Sequence, residues 1–165
     1  MEGKTYQVYP RRFAIAGASF ITNTVSSIIY NAFVPIFFYT EEYFACTNTP
    51  IECALKVNML VIVYNIFVLP GALLASYCID NLGIGNSLLV GNLIMIFATW
   101  LRYFGSLFSD PVARYYLIVV GQSIAAFGQP LVTNIFPAIS LTWFPLNERD
   151  YISAFLASSD RKSVV

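Results

Sequence analysis

The sequence predicts an all-α polytopic membrane protein, on three observations. The 165-residue chain is 58% hydrophobic and 16% aromatic. Only 11% of it is charged, nine residues of each sign, where an ordinary globular domain carries about 25%. Four long stretches carry no charge: Phe13–Thr40, Val57–Tyr77, Asn81–Leu101 and Tyr115–Asn147. Such a composition excludes a disordered chain and leaves too little polar surface to cover a soluble globule. A net charge of zero and the absence of a basic run argue against a nucleic-acid partner. With no His, the chain lacks His-based metal sites and His-dependent triads.

A spanning helix needs about 20 mostly apolar residues. The runs place spans near 14–36, 57–77, 87–107 and 115–138. The fourth run is longer than a bilayer requires, so only part of it spans. At about 1.5 Å per residue it would reach ~50 Å, against a hydrocarbon core of ~30 Å. Aromatics at the span ends (Phe37, Phe38, Tyr39, Tyr77, Tyr103, Tyr115 and Tyr116) match an interfacial belt. Pro35, Pro70, Gly71, Gly91, Gly128, Pro130 and Pro137 fall inside the runs, where membrane helices tolerate them better than soluble ones. The first run is too long for a signal-peptide core and is expected to stay as a first span.

Charge sets the topology. Lys4, Arg11, Arg12 and Arg149 would share one side; Lys56, Arg114 and the edge residue Arg102 would share the other. The positive-inside rule then gives a cytoplasmic N-terminal segment, 1–12, in a multi-pass protein of the plasma membrane or an endomembrane. Cys46 and Cys53 fall together in the loop after span 1, where they either pair as a small disulfide loop or stay as two thiols. After span 4 a further apolar helix opens from 151 and stops too early to cross. Residues 158–165 are expected to be an artefactual or disordered tail. Asp160–Val165 reads as a translated sequencing adapter, and a genuine short basic tail is the alternative.

Several motifs resemble a known family. Asp80 and Gly83 stand where the major facilitator superfamily carries a D-x-x-G-x-R/K element between spans 2 and 3, with Ile84, Gly85 and Asn86 near its basic position. Tyr9-Pro-Arg-Arg-Phe13 resembles the Y-x-R-R-[WF] start of the feline leukaemia virus subgroup C receptor-related transporters. Gly91-Asn92 and Trp100-Leu-Arg102 resemble their span 3. Gly121-Gln122, Gln129-Pro130, Trp143-Phe144 and Glu148-Arg149 are similar to their G-Q-x-x-x-A-x-x-Q-P…W-F…E-R stretch. The resemblance implies a major facilitator fold of twelve helices in two halves, with alternating access around a site near the bilayer midplane. On that reading this chain is an N-terminal fragment of four helices plus the start of a fifth, within 13–157. Family members are linked to choline and ethanolamine uptake, to haem export and to vitamin-like small molecules.

The polar residues inside the runs are the site candidates, because lipid-exposed polar groups are costly. No Asp or Glu occurs in the four expected spans. Tyr30, Asn31 and Phe33 cluster beyond the middle of span 1, with Tyr30 where the choline-transporting relatives carry a Trp. An aromatic face attracts a quaternary ammonium by about 0.5–2 kcal/mol, best with Trp; helix packing or lipid contact is the alternative. Gln122 and Gln129 lie seven residues apart on one face of span 4 and either line a cavity or act as polar glue between helices. Asp80, Gly83, Glu148 and Arg149 would share the cytoplasmic side, with Asp80 and Arg149 as an ion pair in a gate, or else as solvated surface charges. Arg102 would snorkel to the outer interface, with contact to a substrate phosphate or carboxylate as the second reading.

The expected function is secondary transport of a small organic solute, choline- or ethanolamine-like, by a truncated transporter. The alternatives are a haem or other metabolite transporter of the same family, or a non-transporting four-span scaffold. No constellation of catalytic side chains is present, so the chain is not expected to be an enzyme, and no metal or cofactor is implied. Its partners would be the small-molecule substrate, the lipid bilayer and further C-terminal helices of the same chain.

Overall fold

A computed structural model describes residues 9–31, 44 and 50–158. The described chain is helical throughout: α1 (Arg11–Asn31), α2 (Pro50–Ser106), α3 (Pro111–Thr133), α4 (Ile135–Trp143) and α5 (Leu146–Ser158).

The element α2 is two helices joined at Gly83, which has φ 79° and ψ 167°. That corner of backbone space is open essentially to glycine alone. The chain reverses there. In the first arm, Tyr115 of α3 donates to the Lys56 carbonyl (3.1 Å), and Ala75 and Cys78 pack on Leu131. In the second arm, Gly91 faces Gly128 and Leu131, and Gly105 faces Leu117. The first arm therefore runs parallel to α3 and the second antiparallel to it. At the crossing, a Cβ on Gly91 would lie 2.8 Å from Leu131 Cβ, and one on Gly128 would lie 3.2 Å from the Gly91 carbonyl. Small residues let these backbones approach, which is how helices associate where no hydrophobic force acts between them.

The helix ends follow local chemistry. Asp110 caps α3 by accepting from the amides of Val112 (3.1 Å) and Ala113 (3.4 Å), with Pro111 in the first turn. Between α3 and α4 the helix breaks at Asn134, because Pro137 has no N–H to give the Thr133 carbonyl. At the end of α4, Phe144 is extended (φ −120°, ψ 141°), as a residue before proline prefers. Along α1, the hydroxyls of Thr22, Thr24 and Ser26 donate to the carbonyls four residues back, so they need no water.

The start of α1, the Gly83 turn and the α4–α5 junction meet at one end of the molecule. Ala16, Ile135, Ile139, Phe144 and Leu156 form a core there, with Ile79, Ile84 and Leu88 against it. The opposite end holds Lys56, Tyr115, Gly105 and Ile29 of α1.

Among the described residues two helical stretches are long and apolar enough to cross a membrane, Ala54–Ser106 and Pro111–Trp143. The first does so while burying little of itself. Leu69, Leu73 and Tyr77 are 71%, 76% and 67% exposed, and Phe97, Trp100 and Phe104 are exposed as well. A water-soluble monomer does not present a continuous apolar surface of this kind; a helix facing lipid does.

The helix boundaries differ from the expected spans. The segments near 57–77 and 87–107 fall in the two arms of α2. The segment near 115–138 straddles the break at Asn134, and its helix starts at Pro111, ahead of Arg114. Arg11 and Arg12 open α1 rather than preceding it, and the fifth helix begins at Leu146 rather than near 151. Residues 32–36, Cys46, the side chain of Cys53 and 159–165 lie outside the described residues.

Candidate functional site

Two polar contacts tie the first four helical segments together in pairs. Arg102, near the end of α2, reaches inward. Its Nη1 donates to the Ile29 carbonyl of α1, at 3.2 Å. Its aliphatic stem crosses Gly121 of α3, where a Cβ would stand 2.6 Å from Arg102 Cγ. The expected snorkelling is thus not what this side chain does: it bonds the Ile29 carbonyl of α1, and Gly121 leaves room for the stem.

Tyr64, from the first arm of α2, is 2% exposed. Its hydroxyl donates to Gln129 Oε1 on α3. One contact thus joins α1 to the second arm of α2, and the other joins the first arm to α3. Gln129 is partly exposed.

Gln122, two turns away on the same helix, is 1% exposed, and its Oε1 has no hydrogen-bond partner. It sits inside the bundle. The Oγ atoms of Ser19 and Ser87 are buried and unpartnered in the same way. The Tyr30 and Asn31 side chains and the whole of Phe33 lie outside the described residues.

A cleft of about 730 Å³ opens between α1 and the second arm of α2, walled by Thr22, Val25 and Ile29 on one side and Met95, Thr99 and Trp100 on the other. Thr22, Ser26 and Thr99 spend their hydroxyls on their own helices, which leaves Asn92 as the polar side chain of a mostly apolar wall. None of the site residues expected from the sequence lines it among the described residues.

At the Gly83 end, Arg12 Nη1 lies 2.9 Å from Glu148 Oε2. The Arg12 guanidinium also stands 4.6 Å from the Phe13 ring centroid and 5.2 Å from that of Phe144. The expected Asp80–Arg149 pair is not formed. Arg149 donates to the carbonyls of Leu141 (2.9 Å) and Phe144 (3.0 Å), closing the C-terminus of α4. Asp80 is exposed, and Gly83 is the turn itself. Sequence reasoning missed the pairing of Arg12, which it read only as a topology charge. The available signal was that Arg12 and Glu148 were already assigned to one side of the membrane.

No family model matches the chain, and no solved structure matches it significantly. Curated relatives do. Solute carrier family 49 member A3 of Xenopus tropicalis is 27% identical over 155 residues, covering 87% of this chain and 30% of that protein. The protein of the same name from Danio rerio is 25% identical over 145 residues, covering 87% of this chain and 29% of its own length. The chain is similar to solute carriers. It spans about a third of the length of the relatives it matches, and that likeness supports the resemblance of its motifs at the level of family.

Proposed function

We propose that the chain forms the N-terminal helices of a secondary transporter that moves a small organic solute by alternating access in a major facilitator fold. The observation that carries this reading is the similarity to solute carriers along 87% of the chain, borne by helices with lipid-like outer faces. On this reading α1, the two arms of α2 and α3 each cross the bilayer once, and α5 opens a fifth span. The Gly83 end is cytoplasmic, since Arg11, Arg12 and Arg149 gather there while Lys56 and Arg114 lie at the other. The solute is choline- or ethanolamine-like, with Tyr30, Asn31 and Phe33 on its ammonium side and Gln129 on the facing helix. The remaining helices come from the same chain, and no cofactor takes part.

Uptake into proteoliposomes holding the complete natural chain tests this. Saturable uptake of radiolabelled choline or ethanolamine, reduced by Tyr30→Ala through a higher KM, supports the reading. Absence of uptake of either solute with correctly inserted protein contradicts it. The 165 residues alone are expected to give none, because alternating access needs two halves to move against each other.

A further inference from the structure

α1 and the second arm of α2 both run away from the Gly83 end and leave the cleft between them open. They are tied where Arg102 reaches the Ile29 carbonyl. Asn92 is the amide on the cleft wall, and it has no hydrogen-bond partner among the described residues. It follows Gly83 by nine residues in the chain. At 1.5 Å per residue that is about 14 Å along the arm, near the middle of a hydrocarbon core of about 30 Å. Polar side chains at that depth turn toward protein or water, because acyl chains offer them nothing.

The fifth helix is not what covers the cleft. Glu148 in the first turn of α5 meets Arg12, and Phe155 further on stacks on Phe20 at 4.5 Å, so α5 runs parallel to α1 from the Gly83 end. Ile29 of the cleft follows Phe20 by nine residues, which is about two and a half turns and puts it on the opposite face of α1. A span completed in the direction of α5 ends at the Lys56 end, and the span after it returns from there, antiparallel to both walls. The relatives have the chain for such a span, since the matched region is 30% and 29% of their lengths.

We propose that the cleft seats the span that follows α5 in the complete chain, and that this span brings a hydrogen-bonding side chain to Asn92. This rests on the transporter reading above and adds to it a seat and a polar contact. A helix fits better than a lipid, because Ser, Thr, Asn and Gln side chains bond across membrane helices and an acyl chain does not. The neighbouring outer face of the same arm, with Leu93, Phe97 and Phe104 exposed, is apolar and suits lipid.

Nitroxide accessibility in the complete natural chain, reconstituted in liposomes, tests this. Its cysteines are replaced by serine, and single labels are placed at Val25→Cys and Ile96→Cys on the two walls and at Phe97→Cys on the outer face. Power saturation by oxygen reports lipid around the label, and by a water-soluble nickel chelate reports water. Both wall labels are expected to be severalfold less accessible to oxygen than the Phe97 label and closed to nickel, at every protein-to-lipid ratio. Oxygen accessibility equal to that at Phe97 means that lipid fills the cleft, and nickel accessibility means that water does. Protection that fades as the protein is diluted in lipid means a second copy. Each of these three overturns the inference and leaves the transporter reading to its uptake assay. A label-free variant guards against a nitroxide wedging the span away. Asn92→Leu, which keeps the bulk and removes the amide, is expected to lower the thermal unfolding midpoint by about 1–3 °C. An unchanged midpoint overturns the polar contact. A natural chain with no span after α5 overturns both the seat and the transporter reading.

Discussion

Arg12 and Glu148 lie 136 positions apart and meet at 2.9 Å, joining the first turn of α1 to the first turn of α5. The guanidinium is nearly buried while the carboxylate is 42% exposed, so the ion pair itself is partly screened by solvent. The two aromatic rings, Phe13 and Phe144, add the less screened part. Their T-shaped contact, with centroids 5.9 Å apart, closes the cage around the guanidinium.

Removing that cage should cost more than removing the acid. Arg12→Ala is expected to lower stability by about 1–3 kcal/mol, from lost cation–π contact and a half-exposed pair. Glu148→Gln is expected to cost about 1 kcal/mol or less. Thermal unfolding of the detergent-solubilised protein ranks the two. Equal losses for both variants would show that the pair, and not the rings, holds α1 against α5.

Gly83 makes a second prediction. Its backbone angles are those that side chains resist, although the space around it is open. Gly83→Ala should therefore destabilise through strain alone, by about 1–3 kcal/mol. Gly85→Ala, two residues on in a regular helix and also in open space, should be neutral or stabilise by up to about 1 kcal/mol. If both substitutions behave alike in the same unfolding measurement, the turn is not where the two arms of α2 divide.

How much of this was legible in the sequence depended on the kind of signal. The apolar runs pointed to helices, because a continuous uncharged stretch has few other uses. The turn at Gly83 was legible as part of a D-x-x-G element, though its role as a positive-φ hinge was not. The break at Asn134 had a visible cause in Pro137, yet an uninterrupted apolar run concealed it. The site was less legible. Gln129 stood out as a polar residue in an apolar run, whereas Tyr64 looked like any aromatic of a membrane helix. Its pairing with Gln129 spans 65 positions and depends on how two arms of one helix fold back onto α3. Arg102 was conspicuous as a charge, but the carbonyl it reaches belongs to another helix. Pairings of this sort leave no periodic trace.

Arg102 and Gly121 supply a third prediction, about non-additivity. A methyl group at Gly121 would collide with the Arg102 stem at 2.6 Å and crowd the Ala98 carbonyl at 3.1 Å. Gly121→Ala is expected to cost about 1–3 kcal/mol, the usual penalty for overpacking. In an Arg102→Ala background the same change should cost at least about 0.5 kcal/mol less, since residues in contact do not add. A double-mutant cycle by chemical denaturation measures this. Strict additivity would mean that the arginine stem does not lie over Gly121.

The claim that this chain belongs to a longer solute carrier is tested most directly by the natural transcript. Its sequence should be read past the codon for Ser158, in frame. On the transporter reading the frame is expected to complete the span begun by α5 and to continue through about seven more apolar spans. A genomic sequence that encodes Asp160–Val165 and then stops would contradict it, and would leave a small four-span membrane protein without a second half to move against.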